Sequence, residues 1–388
     1  MRKILLIVVL LPLLAAGGWY YFHARSLPLY GPRYREYAYI TNGKSNTVTV
    51  IDLRSFRSVR TLQVGAEPTG VAANPKKNEV YVVNAGSASV SVIDAEQNKV
   101  VTTIGVHGRP YFIDVAPDGH RAYVANSGSA DVSVIDLDRR TVAATLRVGG
   151  APGLARVSPD GSTVVVTNRA DSTVSLIDTA RLAVRSAISV CINPEDIAIL
   201  PDSTKAFVSC SGSGQVASLD LKTGKLLALL DVGKSPVSLA LKPDGGELFV
   251  FNFGSNSISI IETTPNEVLG SYLIGTQPTR GVVSLDNSRL YVSNFGSNNI
   301  AVYDIDNGKV ISVLAVGTHP DALALSGNQN YLLVLDSGSG DLIVIQKRKP
   351  KKLEPSEYSM LTVIPVGTQP NQIVIKAFLL TKPAVDGR

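Results

Sequence analysis

The chain has 388 residues, 45% hydrophobic and 18% charged, which is room for one large or two ordinary domains and too apolar for disorder. Its formal charge of +5 is local in origin, because ten of the 37 Lys and Arg lie at Arg2, Lys3, Arg25, Arg33 and Arg35 and at Lys347, Arg348, Lys349, Lys351 and Lys352. Setting these and Glu354 aside leaves 27 basic against 31 acidic residues, which excludes a general polyanion-binding surface and predicts no nucleic-acid partner.

Residues 1–36 read as a membrane segment and a linker. Ile4 to Phe22 is an uncharged run of nineteen residues behind Arg2 and Lys3, the length a helix needs to cross a bilayer core of ~30 Å. The cluster Trp19, Tyr20, Tyr21, Phe22 suits an interfacial belt and predicts an uncleaved N-terminal transmembrane helix. A cleaved signal peptide, with Ala16 and Gly18 as the small residues, is the alternative. Either way the body is expected outside the cytoplasm, on the periplasmic or extracellular face.

From Tyr37 onward one phrase repeats, as in YVVNAGSASVSVIDAEQNKVVTTIGVHGRP from Tyr81 and YVSNFGSNNIAVYDIDNGKVISVLAVGTHP from Tyr291. The Asn closing each Y-V-x-N falls at Asn42, Asn84, Asn126, Asn168, Asn252 and Asn294, with Cys210 and Asp336 in the same slot, every step being 42 residues. Pro68, Pro110, Pro152, Pro194, Pro236, Pro278 and Pro320 keep the same step, and Pro370 follows after eight extra residues. Alternation and turn chemistry divide one unit into strands A (Ile113 to Ala116), B (Ala122 to Asn126), C (Asp131 to Asp136) and D (Val142 to Val148). A period near forty with four short strands predicts an all-β propeller.

Seven complete units run from Pro68 to Val366, while Tyr37 to Val64 supplies B, C and D without A, and Asn371 to Phe378 supplies an A alone. Joining the fragments closes a ring of eight blades and pairs an otherwise bare edge; seven blades are the alternative. The propeller is thus expected over 37–378, with a C-terminal tail over 379–388.

These repeats resemble the YVTN family of β-propeller repeat proteins, over roughly Tyr37 to Phe378. The resemblance implies the fold strongly and the function weakly, since relatives of this architecture include surface-layer proteins, lactonase-like enzymes and eight-bladed domains that hold haem d1.

In a propeller the D-to-A and B-to-C loops share one face, here the top, and the A-to-B and C-to-D loops share the bottom. The chain enters and leaves at the bottom. The insertion carrying Lys347, Arg348, Lys349, Lys351 and Lys352 lies between C and D of the last unit, so these cations are expected to face the membrane.

The repeat breaks in informative places. Cys191 replaces a framework Gly and Cys210 a framework Asn in one blade, which predicts a disulfide where ordinary blades bond an Asn side chain to backbone near the Gly. Variable positions around each Pro form a mixed-charge funnel at the top: Glu67, Arg109, Tyr111, Glu195 with Asp196, Gln277, Arg280, His319 and Asp321, joined by Arg169 with Asp171 from a B-to-C loop. Asp114 and Arg156 share one A-strand slot in consecutive blades and predict an interblade salt bridge. His107 and His319, both on top-face loops, are the candidates for a metal or haem iron, although the sequence has no C-x-x-C-H, H-E-x-x-H or nucleophile elbow and predicts no resident metal or catalytic residue.

The reading is therefore a membrane-tethered, non-catalytic binding platform without a cofactor, whose funnel takes a protein or small-molecule ligand. Two alternatives stay open. One is tetrapyrrole binding by His107, His319, Arg109, Arg169 and Arg280; the other is lactonase-like hydrolysis with His319 as base and Arg280 as oxyanion partner.

Overall fold

The computed structural model describes residues 31, 33–348 and 357–380. The expected membrane segment lies outside them, as do Lys349, Lys351 and Lys352 of the basic insertion. Among the described residues no helix is long and apolar enough to cross a membrane.

The described chain is β throughout, apart from one 3-10 turn at Phe253–Ser255. Its strands form eight four-stranded sheets, each a meander of antiparallel neighbours. Blades 1 to 7 begin at the A strands Pro68–Ala73, Pro110–Val115, Pro152–Val157, Pro194–Ile199, Pro236–Leu241, Pro278–Val283 and Pro320–Leu325. Blade 8 is composite: the C-terminal strand Pro370–Leu379 pairs with Tyr34–Asn42, followed outward by Thr47–Asp52 and Arg57–Gln63. Eight blades, closed in this way, are what the two sequence fragments require.

The closure is stitched by more than the ladder. Gly43 N–H donates to the Gln369 carbonyl (3.0 Å), Gly367 N–H to Asn42 Oδ1 (3.0 Å), and Asn371 Nδ2 to the Pro68 carbonyl of blade 1 (2.8 Å). The buried Lys376 donates its amine to the Asn74 carbonyl at 2.6 Å, and its burial lowers the amine's pKa.

Burial explains why the B and C strands read as continuous apolar runs. Each is sandwiched between neighbouring blades, so both faces are covered, as in Glu79–Asn84 and Ser89–Asp94, whose inner five residues are buried. The core is accordingly a series of blade-to-blade interfaces. One cluster packs Tyr81, Val83 and Val92 of blade 1 on Ile113, Val115 and Val124 of blade 2, and another packs Leu333, Leu335 and Val344 of blade 7 on Ala38, Ile40 and Ile51 of blade 8. The outer D strands keep the half-exposed alternation of a rim, as in Thr141–Arg147.

The unit Glu36–Lys376 contains the ring; the described residues before and after it form a second compact unit, in which the Arg33 side chain holds the Leu380 carbonyl. Lys347 is not a loop residue: it ends strand Asp341–Lys347 and pairs with Tyr358, because the insertion begins one residue later than its charges suggest. Arg348 is exposed.

Candidate functional site

The top face is built by one device repeated eight times. The residue before each framework Pro (Glu67, Arg109, Ala151, Asn193, Ser235, Gln277, His319, Gln369) has a positive φ between 48° and 57°, and none is Gly. What holds this backbone is pairing: in every blade its carbonyl accepts the N–H of the residue after the framework Asn slot, for example Ala85 to Glu67 and Ser337 to His319, both at 2.9 Å. A serine hydroxyl of the B-to-C turn accepts a further D-to-A N–H in six blades, as Ser87 does from Ala66 and Ser255 from Lys234, which accounts for the recurrent Ser-rich turns.

The framework Asn bonds to backbone near the Gly, as expected, in two blades: in blade 6 Asn294 Nδ2 donates to the Ile274 carbonyl beside Gly275 (3.3 Å), and in blade 8 Asn42 is engaged by Gly367. In blades 1, 3, 5 and 8 its amide nitrogen donates to two hydroxyls of strand C, as Asn84 does to Ser89 (3.2 Å) and Ser91 (3.0 Å). Only in blade 8 does an Asn oxygen take the framework Gly N–H, in the Gly367 to Asn42 bond. The Gly is there for space, since a Cβ on Gly65 would lie 2.7 Å from the Asn84 side chain and one on Gly149 2.7 Å from Asn168. Cys191 and Cys210 fill this Gly/Asn pair of positions in blade 4 and are joined as a disulfide buried from solvent. That blade also has Ala217 where Asn-bearing blades other than blade 6 place the second hydroxyl.

Immediately after each Pro the A–B register slips in blades 1 to 7, as between Pro110 and Phe112 or Pro278 and Arg280. A bulge re-aims side chains, and here blades 1 to 6 turn residues toward one hollow of about 480 Å³, counting space open to solvent, which Gln372 of blade 8 also lines. Its polar lining is Arg156, Arg169, Arg280, Glu195 and Asp196, and its aromatic wall is Tyr111 and Phe112. Of the residues foreseen as a funnel, Tyr111, Arg169, Glu195, Asp196 and Arg280 meet here. Asp321 joins Arg280 in an adjoining recess under Phe253, and burial raises its pKa against the opposing pull of Arg280. His319 lies apart, stacked on Phe295 at 4.2 Å in a rim groove with Lys44. Glu67 and Arg109 are exposed and line none of these three hollows.

Within the cavity, the Arg169 guanidinium lies 4.5 Å from the Tyr111 ring centroid and 3.1 Å from Glu195 Oε2, and the Arg156 guanidinium 4.8 Å from the Phe112 ring. The expected Asp114–Arg156 salt bridge does not form. Asp114 Oδ2 accepts the backbone N–H of Val157 in the next blade (3.0 Å) and Oδ1 that of Val115 (3.0 Å). Burial raises its pKa, opposed by Arg156 and these two N–H groups. Asp196 is committed in the same way to Leu239 N–H (3.0 Å) and the Ser238 hydroxyl (2.8 Å), leaving Arg156 a 3.9 Å contact with it.

His107, in the Gly slot of blade 2, places Nδ1 2.8 Å from Asp131 and does not line the cavity. Among the described residues no group of three or more His, Cys, Asp or Glu is placed to hold a metal ion. Sequence reasoning missed Phe112, Phe253 and Phe295 and assigned Arg156 to a structural pair; the signal for the last two was Phe in a slot where other blades carry Gly, Ala, Ser or Arg.

The family model of the Choice-of-anchor I domain matches residues 34–241, just over half of the chain. The chain belongs to that family. No curated protein matches it in sequence. Among solved structures, this Choice-of-anchor I propeller is similar to hydrazine synthase of Kuenenia stuttgartiensis, at 24% identity and TM-score 0.57, over 69% of this chain and 91% of that one. It is similar to the dihydro-haem d1 dehydrogenase NirN in complex with DHE, at 15% identity and TM-score 0.73, over 89% and 76% of the two chains. A functionally unknown protein from Desulfotomaculum acetoxidans DSM 771 matches at 18% identity and TM-score 0.60, over 77% and 99%. At these identities the likeness is one of fold.

Proposed function

We propose that this protein is a membrane-tethered, non-catalytic binding platform outside the cytoplasm that holds its ligand or partner at the top mouth of the central channel. The observation that carries this reading is the cavity itself: three arginines, two of them laid on aromatic rings, gathered from blades 3 and 6 at one opening. Tethering is supported by the apolar run Ile4 to Phe22 and by a family description that names a choice of anchor. Arg348, Lys349, Lys351 and Lys352 would add about 1 kcal/mol per cation at an anionic bilayer surface.

Capture from a mild detergent extract of the source membranes tests this reading. The wild type should retain a molecule that the Arg156→Ala, Arg169→Ala, Arg280→Ala triple variant loses while keeping its thermal midpoint. Equal retention by both would contradict a mouth-centred function.

A second reading, tetrapyrrole binding, is favoured by the pairing of cations with flat aromatic walls, which suits a planar acid. Neither His107 nor His319 lines the mouth to meet an iron. An absorption spectrum after incubation with haem decides it. Hydrolysis is not carried forward, because His319 and Arg280, its base and oxyanion partner, line different recesses.

A further inference from the structure

The charge state of the mouth narrows what it takes. A guanidinium offers five N–H donors, and among the described residues no hydrogen bond is made by the side chains of Arg156, Arg169 or Arg280. The Nε atoms of Arg156 and Arg169 are buried without a hydrogen-bond partner, Arg169 meeting Glu195 as an ion pair that lacks an aligned hydrogen bond. Elsewhere Arg121 donates to the Thr179 carbonyl (2.8 Å), and Arg289, whose Nε is also without a hydrogen-bond partner, still donates through Nη1 to the Ser288 carbonyl (2.9 Å). The acids nearby satisfy the three cations only in part: Glu195 Oε2 pairs with Arg169 (3.1 Å), Asp321 faces Arg280 as a charge without a hydrogen bond, and the remaining carboxylate oxygens are engaged elsewhere. Asp114 and Asp196 spend their oxygens on neighbouring backbone, and Glu195 Oε1 is held by Asn193 Nδ2 (2.8 Å) and the Ser211 hydroxyl (3.2 Å).

We infer that the mouth is a receptor site for a compact polyanion, a small molecule bearing two or more carboxylate or phosphoryl groups. The inference rests on the mouth being the ligand site and adds its chemistry. Buried, uncommitted N–H donors carry a desolvation cost that an anion's oxygens remove, and guanidiniums match carboxylate and phosphate geometry in a two-point fork. The rings of Tyr111 and Phe112 hold two of the guanidinium planes in place before the ligand arrives, which limits the entropy lost on binding.

Isothermal titration of the full chain in detergent is the test, with tricarballylate and pyrophosphate as the polyanion probes and acetate and spermidine as controls. One or both polyanions should bind, and which of them binds distinguishes a carboxylate from a phosphoryl ligand. Acetate should bind far more weakly and spermidine not at all. Arg156→Ala and Arg280→Ala should each weaken the polyanion about tenfold or more, the worth of a charge-assisted hydrogen bond. Glu195→Gln, which removes the competing charge, should tighten it about two- to fivefold. Polyanion binding that survives the arginine substitutions, or spermidine binding, overturns the inference. If neither polyanion binds while the triple variant still loses the captured molecule, the polyanion chemistry is wrong and the mouth stands as the ligand site. If capture is also unaffected, both fall.

Discussion

Asp114 and Arg156 show how little a pair of opposite charges in one slot says about their partners. A buried carboxylate needs hydrogen bonds more than it needs a distant charge, and Asp114 finds them on Val115 and on Val157 across the blade interface. Arg156 is left lying on Phe112 with its side chain 39% exposed. The two substitutions should therefore differ in kind. Asp114→Ala strands the Val157 N–H and should cost about 1–3 kcal/mol in denaturant unfolding, whereas Arg156→Ala should stay within about 1 kcal/mol while impairing ligand binding. Sequence alone could not assign these roles, because the deciding partner is a backbone group 43 residues away whose position depends on the interblade register.

At the scale of the loop-to-loop latch, the exceptions follow the framework. Asn in the slot is normally served by strand C hydroxyls; the two blades without Asn lack the second hydroxyl, having Ala217 and Ile343 there, and blade 6, with Ala301, turns Asn294 to the Ile274 carbonyl and Asn299 instead. Blade 4 substitutes a disulfide. Blade 7 substitutes Asp336, which is fully buried, accepts Gly317 N–H at 3.2 Å and leaves Oδ1 unpartnered, with Asp341 directly across the strand pair.

Burial first, and Asp341 second, push the Asp336 carboxyl up from 3.8 to about 7, while Gly317 N–H opposes the rise. A carboxyl whose folded pKa is raised binds its proton more tightly in the folded state, so stability falls as pH climbs from about 4 to about 7, and the full penalty remains above that. Asp336→Asn should remove that slope and stabilise the chain by about 1–3 kcal/mol at pH 8, with little gain at pH 4. The variant would reproduce blade 2, where Asn126 donates to Asp131 at 2.6 Å. Thermal midpoints across this pH range check it.

At the scale of the molecule, the ring was legible because a 42-residue period leaves a countable remainder: an unpaired A strand at one end and a B-C-D set at the other. The disulfide was legible for the same reason, since two cysteines fell on framework slots of one blade. The mouth was legible only in part. Its residues were sought around each Pro, which is where the register slips, but the slip decides which of them turn inward. It brings in Arg156 and Phe112 and leaves out Glu67, Arg109 and His319. Variation on a fixed scaffold thus marks where a site can be built, and bulge geometry marks where it is.

That the channel mouth is where this propeller binds is tested most directly by a crystal structure of the full chain grown with tricarballylate or pyrophosphate, whichever titrates. The anion should sit in the ring of eight blades, within hydrogen-bonding distance of Arg156 and Arg280 nitrogens contributed by blades 3 and 6. An empty mouth with the anion in the rim groove beside His319 and Lys44 would contradict it.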